Sequence, residues 1–316
     1  MKKILLISVF LISAWAKSIT MPTTSYLADG SVTDMKIDKG SLYVATGASV
    51  IDVFNIKTKK IIHKINISKI KDFMGDTIDS KIYSVDVLDG KVLILSQGAH
   101  GFRRVDIYEN NKLKHIINVE DKMYIAKAKF LDNKNIIVGL LSNDIISYNI
   151  KNKKQNWTIQ ASQSKFSNFK LNENKSKIIV CDESGDLHLI NTKNGKFIKT
   201  FSGHNLDNVF QVDYKNGIIA TAGQDRRVVI YNTKTDSVYY KTSNFLIYSV
   251  GLSPSGKIVG YASDENNDVT LFKTNTKTKL GVFGGNEMTL SNILFLNEKE
   301  FFVSSDDKTI NFYKLK

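Results

Sequence analysis

Seven residues, Phe54, Tyr108, Tyr148, Ile190, Tyr231, Phe272 and Tyr313, each close an apolar strand just before a polar turn, at spacings of 54, 40, 42, 41, 41 and 41. A period near 40 that persists along a chain marks a repeat architecture, because each unit buries its apolar face only by stacking on its neighbours. Between these anchors the apolar residues alternate with polar ones or run as short β-branched blocks, and the three- and four-residue spacing of a helical solenoid is missing. Four short strands fill about 40 residues, the size of one propeller blade. The chain is therefore expected to be all-β and to form a seven-bladed β-propeller.

The clearest copy is GHNLDNVFQVDYKNGIIATAGQDRRVVIYNTKT, from Gly203 to Thr235. It reads as a Gly-His turn, a strand from Val209 to Asp213, a Lys-Asn-Gly turn and a strand from Ile218 to Ala222. A tight turn from Gly223 to Arg226, a strand from Val228 to Tyr231, a turn at Asn232 to Asp236 and an outer strand from Val238 to Lys241 complete it. This stretch resembles a WD40 repeat. Gly203-His204 stands at the family's Gly-His dipeptide, Asp225 at its turn aspartate and Tyr231-Asn232 at its closing Trp-Asp. The resemblance implies a buried hydrogen-bond relay through His204, Thr221, Asp225 and Tyr231, with Tyr231 departing from the family's tryptophan. It also implies ring closure by an N-terminal strand. The last repeat ends just after its third strand, Thr309 to Leu315, so the strand-like segment Thr23 to Ala28 is expected to supply its missing outer strand and leave no long free edge.

At the N-terminus, Lys2-Lys3, the apolar run Ile4 to Ile12 and the small residues of Ala14-Trp15-Ala16 fit an export signal cleaved near Ala16, with a mature propeller domain from residue 17 to 316. The run is far shorter than the roughly 20 residues a membrane-spanning helix needs. The single cysteine, Cys181, forms no disulfide within the chain and offers no lipid site at the signal junction. It is expected to lie buried in an inner strand, and the protein to be a soluble periplasmic monomer.

The first spacing is longer by about a dozen residues because of an insertion, SKIKDFMGDTIDSK, from Ser68 to Lys81, and a second irregularity, QGAHGF, falls at Gln97 to Phe102. Both connections emerge on one face of a propeller, where insertions mark binding surfaces. The only arginines, Arg103-Arg104 and Arg226-Arg227, occupy equivalent third-strand positions three repeats apart. They are suited either to charge-assisted capture of carboxylates on a partner or to bracing a neighbouring blade. Phe73, Met74, His100, Phe102, Arg103, Arg104, Arg226 and Arg227 are the candidate partner-binding residues; Phe73 and Met74 serve either as a docking pair or as a loop anchor.

The formal charge of +13, or +11 without Lys2 and Lys3, comes almost wholly from lysines expected in polar turns. Without clustered arginine and interleaved aromatics it points to solubility and acidic partners, not nucleic acid. The five histidines show no metal-ligand spacing with carboxylates, and no phosphate loop or nucleophile elbow is present. The acidic turn Asp264 to Asp268 lacks the glycine and distal glutamate of a calcium loop. No catalysis, cofactor or metal is expected. Of the exported propeller classes, quinoprotein-type dehydrogenases carry a tryptophan docking motif in each blade, and an outer-membrane assembly propeller needs a lipidated cysteine; neither pattern fits. Over its length the chain resembles accessory proteins of periplasmic nitrate reductase systems, which implies a scaffold in maturation of, or electron supply to, that reductase.

Overall fold

The computed structural model describes residues 18–315, so the expected signal segment and its cleavage point at Ala16 lie outside the described residues. Seven antiparallel sheets form a ring, with innermost strands at Val32–Asp38, Ile82–Leu88, Ile125–Phe130, Phe166–Leu171, Val209–Lys215, Val250–Leu252 and Leu290–Phe295 for blades 1 to 7. Among the described residues the only helical turns are two short 3-10 segments, Ala99–Gly101 and Val119–Asp121. The apolar side chains gather into seven clusters, each between two successive blades, as units that cannot bury their faces alone require.

All seven anchor residues lie in third strands. Six are buried. Tyr108 is half-buried, and its hydroxyl reaches His63 Nε2 at 2.8 Å instead of entering the core. In blade 5 the observed strands are Val209–Lys215, Ile218–Gly223, Arg227–Asn232 and Ser237–Thr242, with Asn216 and Gly217 both at positive φ in the first turn. That geometry joins two twisted strands with a two-residue turn. Cys181 is buried in the second strand of blade 4, Lys177–Asp182, one position out from the innermost strand, and burial pushes its thiol up.

The ring is held shut at two blades. Thr24–Leu27 pairs antiparallel with Thr309–Lys314 as the outer strand of blade 7, and Ile19–Thr20 adds in parallel to Lys279–Phe283 as a fifth strand of blade 6. The sequence reading contained only the first of these. Tyr26 then packs edge-on against Phe54 and Phe302, both at 5.5 Å, and donates to the Ile56 carbonyl at 2.9 Å, tying blade 7 to blade 1.

The innermost strands enclose an axial channel with a cavity of about 340 Å³. Lysines expected in polar turns, Lys36, Lys127, Lys129, Lys170 and Lys215, stand on these strands instead, beside Asp34, Asp86 and Asp213. Blade 6 approaches blade 7 closely at Gly251. A Cβ at Gly251 would stand 2.2 Å from the Ile293 carbonyl oxygen, so only glycine fits there.

Candidate protein-docking face

Strand direction alternates across each blade, so the blade-to-blade connectors and the turns from second to third strand share one face. Hydrogen bonds lock them together. In blades 1 to 5 and 7, an amide at the start of this turn donates to a connector carbonyl, as in Gly47 to Ser31, Gln97 to Lys81, Leu141 to Tyr124, Glu183 to Lys165, Gln224 to Asn208 and Asp306 to Thr289.

The insertion rises from this face as a small hairpin, Ile70–Lys71 paired with Thr77–Ile78. Its tip is folded by Asp72, whose carboxylate accepts the amides of Met74 and Asp76, both at 2.9 Å, while Gly75 supplies the positive φ. Its base is pinned on both sides. Lys69 contacts Asp79 at 3.0 Å, and Ser49 donates to Asp79 at 2.9 Å; together they hold the Asp79 carboxyl below its ordinary range. Ser80 donates its amide to Ser49 Oγ and its hydroxyl to the Gln97 carbonyl, each at 2.7 Å. The hairpin therefore carries Phe73 and Met74 outward, at 94% and 73% exposure, and the loop-anchor alternative is excluded.

The arginines divide. Arg104 belongs to the hairpin base, donating to the Ser68 carbonyl at 3.0 Å and to Ser80 Oγ at 3.2 Å. Arg103 lies over the Tyr83 ring at 4.1 Å and donates to the Gly101 carbonyl. Three blades away, Arg227 donates to the His204 carbonyl at 3.0 Å and covers Tyr240 at 4.2 Å, while Arg226 is exposed in its turn. Arg104 and Arg227 thus tie connectors to third strands, and Arg226 is presented to solvent. His100 is exposed at positive φ in the Ala99–Gly101 turn, and Phe102 packs on Tyr124 at 4.8 Å.

Further apolar groups on this face carried no repeat signal in the sequence. Tyr124, Leu206, Phe245 and Met288 are exposed in connectors, and Leu141 in a second-to-third-strand turn. Phe210 and Tyr248 stack at 5.2 Å. A signal was available for two of them: Leu206 and Met288 each interrupt a connector that is otherwise polar or small. An apolar array rimmed by polar groups is the surface a protein partner covers.

The blade-5 relay requires a correction. Thr221 donates to Asn205 Oδ1 at 2.7 Å, and Asn205 Nδ2 donates to the Tyr231 hydroxyl at 2.9 Å; Asn205 takes the place expected for His204. The His204 ring meets Tyr231 edge-on at 5.6 Å. Asp225 holds the connector by accepting the Leu206 amide at 2.8 Å and the Arg227 amide at 3.0 Å. The cause is Tyr231 itself. A tryptophan N–H only donates, whereas a phenol hydroxyl also accepts, and the Asn205 amide supplies both halves of the bridge. Blade 7 also pairs a tyrosine with an asparagine but in the opposite sense: the Tyr313 hydroxyl donates to the Gly284 carbonyl at 2.9 Å and to Asn286 Oδ1 at 3.2 Å.

The acidic turn closes on itself, the Asp264 carboxylate accepting the amides of Asn266 and Asp268. Among the described residues no helix is long and apolar enough to cross a membrane, and no group of three or more His, Cys, Asp or Glu is placed to hold a metal ion.

Residues 195–232 match the family described as WD domain, G-beta repeat. The match runs from the outer strand of blade 4 through the third strand of blade 5, the stretch that contains the relay. No curated protein matches the chain. With the seven-bladed ring, the matched repeat supports a WD40-type β-propeller, a fold that suggests a protein-interaction scaffold.

Proposed function

We propose that this propeller is a non-catalytic scaffold that acts in the periplasm and docks a protein of the periplasmic nitrate reductase system, in the manner of the accessory protein NapL. The observation that carries the docking reading is the hairpin tip. Leaving Phe73 and Met74 in water forgoes roughly 1.5–3 kcal/mol for each side chain, and the folded tip spends hydrogen bonds to keep them there. A rigid apolar anchor of this kind makes a binding hot spot because little ordering remains to be done on association. The exposed guanidinium of Arg226 and the basic net charge favour a partner with an acidic rim. The nitrate reductase assignment rests on the whole-length resemblance, and the periplasmic one on the residues before Lys17.

The test is binding of the mature protein to the purified catalytic and electron-transfer components of the reductase, with Phe73→Ser/Met74→Ser and Arg226→Ala compared. Retention of one component is expected. The double variant should bind at least tenfold more weakly, Arg226→Ala less so, and both should melt as the wild type does. If no component is retained, the nitrate reductase reading is wrong; if the double variant binds normally, the docking face is misplaced. Mass spectrometry of the protein after export should give a chain beginning near Lys17, and a mass retaining Met1 would remove the case for a cleaved signal.

A further inference from the structure

The axial channel has charges its own residues do not neutralise. Six lysines and four carboxylates line it. Three ion pairs use most of the acids: Lys129 with Asp34 at 2.6 Å, Lys36 with Asp86 at 2.8 Å and Lys170 with Asp213 at 3.1 Å. These carboxylates are also fixed to the ring. Asp34 accepts the Val85 amide, Asp86 the Phe130 amide and Asp213 the Leu252 amide, so each joins its blade to the next. The fourth acid, Glu173, accepts the Asn216 amide at 2.5 Å.

Lys127, Lys175 and Lys215 are left. Among the described residues none has a carboxylate within ion-pair distance, and Lys127 Nζ has only the neutral Asn168 Oδ1, at 2.6 Å, with the Phe169 ring at 5.4 Å. Three lysines set against Glu173 leave a formal excess of two positive charges around a cavity at the small end of the range for ligand pockets. Each of these three lysines is half-buried, and a partly desolvated charge without a partner is relieved by a bound counter-charge.

The cavity is also directional. At the docking-face end, Gln211 reaches from blade 5 past blade 6 to donate to the Ser291 carbonyl, and its Oε1 accepts from Ser249 at 2.9 Å. At the other end the lining reaches the first-to-second-strand turns through Asn172, Glu173, Lys175 and Pro254. We propose that the axial channel binds one small dianion, a dicarboxylate or an inorganic oxyanion, taken up from the face opposite the hairpin and held by Lys127, Lys175 and Lys215. Desolvation, reinforced by Lys129 and opposed by Asp34, pushes the Lys127 ammonium down to about 7, and desolvation likewise lowers Lys175 and Lys215. All three would return toward their ordinary values beside an anion. The site does not depend on the docking reading.

Titration calorimetry in low-chloride buffer, with sulfate, phosphate and malonate as separate probes and chloride as the monovalent control, tests this. One probe or more should bind saturably at one site per chain, at least tenfold more tightly than chloride. Lys127→Gln and Lys215→Gln should each weaken it at least tenfold, and Phe73→Ser/Met74→Ser should leave it unchanged. Sulfate binding with malonate excluded assigns an oxyanion site, and the reverse a dicarboxylate site. The absence of saturable binding by all three dianions, or binding that both lysine variants preserve, overturns the proposal. Should Lys127→Gln fail to fold, Lys215→Gln, nearer the open end, carries the test.

Discussion

Replacing Asn205 by alanine should damage the propeller more than replacing the adjacent His204, the reverse of what the WD40 relay implies. Asn205 is 3% exposed and bridges Thr221 Oγ1 and the Tyr231 hydroxyl, both in the sealed core between blades 4 and 5. Asn205→Ala strips both of their partner. Leaving a buried polar group unsatisfied costs about 1–3 kcal/mol, so two such groups set an expected loss on the order of 3 kcal/mol, allowing for some relaxation. His204→Ala removes one edge-on ring contact, worth about 0.5–1.5 kcal/mol. Unfolding entropy near 2.1 cal/mol/K per residue over about 300 residues converts 3 kcal/mol into a fall in Tm of about 5 °C, against about 1–2 °C for the histidine variant. Circular dichroism melts, with urea titrations to check that the slope is unchanged, read both numbers. A Tm for His204→Ala at or below that of Asn205→Ala would refute the assignment of the relay to Asn205. Tyr231→Phe supplies a further control, because it removes the acceptor while keeping the ring, and should fall between the two.

Two other outcomes are expected. Deleting residues 17 to 29 removes the outer strand of blade 7 and the extra strand of blade 6 together; it should lower Tm by well over 5 °C and shift the protein to aggregates in size-exclusion chromatography, whereas an unchanged melt would show that the ring closes without them. Desolvation would raise the Asp182 carboxyl, but the His188 imidazole, 3.6 Å away, and hydrogen bonds from Ser162 and Ser184 outweigh it and hold the group at about 2. Its stabilisation is therefore present above the unfolded value near 4 and lost as pH falls toward 2, and Asp182→Asn should flatten the stability profile across that window, a flattening that urea titrations at stepped pH would detect.

The ring was legible in the sequence because each blade needs one large side chain at the end of its third strand, and that demand repeats every 41 residues or so whatever else drifts. The hairpin was legible as a break in the same count. The strand Ile19–Thr20 was not, since two residues carry no periodicity and a parallel pairing leaves no turn to announce it. Asn205 was hidden by its neighbour: the Gly203-His204 dipeptide draws the relay to the histidine, and only the position of the Tyr231 hydroxyl shows which side chain reaches it. The channel lysines were misplaced for a different reason. A lysine in a strand looks like one on an outward face until the strands are superposed. Then Asp34/Lys36, Ser84/Asp86, Lys127/Lys129, Asn168/Lys170 and Gln211/Asp213 fall on the same two inward positions, pairs two residues apart that alternation sends to one side.

The double clasp at blades 6 and 7 also fixes the order of events when the chain first folds. Ile19 to Leu27 are made before all seven blades, whereas their partners, Lys279–Phe283 and Thr309–Lys314, belong to the sixth and seventh. Six blades can therefore stack while the growing polymer still has two raw edges, and the opening segment must wait, unpaired, for nearly the whole length to appear. Contacts so far apart in sequence form slowly. During that interval the segment matches the open edges of blades 6 and 7, and another copy of the chain offers the same edges. Pairing between copies at this stage would exchange the N-terminal strands and yield linked rings, so crowded, rapid production should give swapped dimers where dilute production gives single discs.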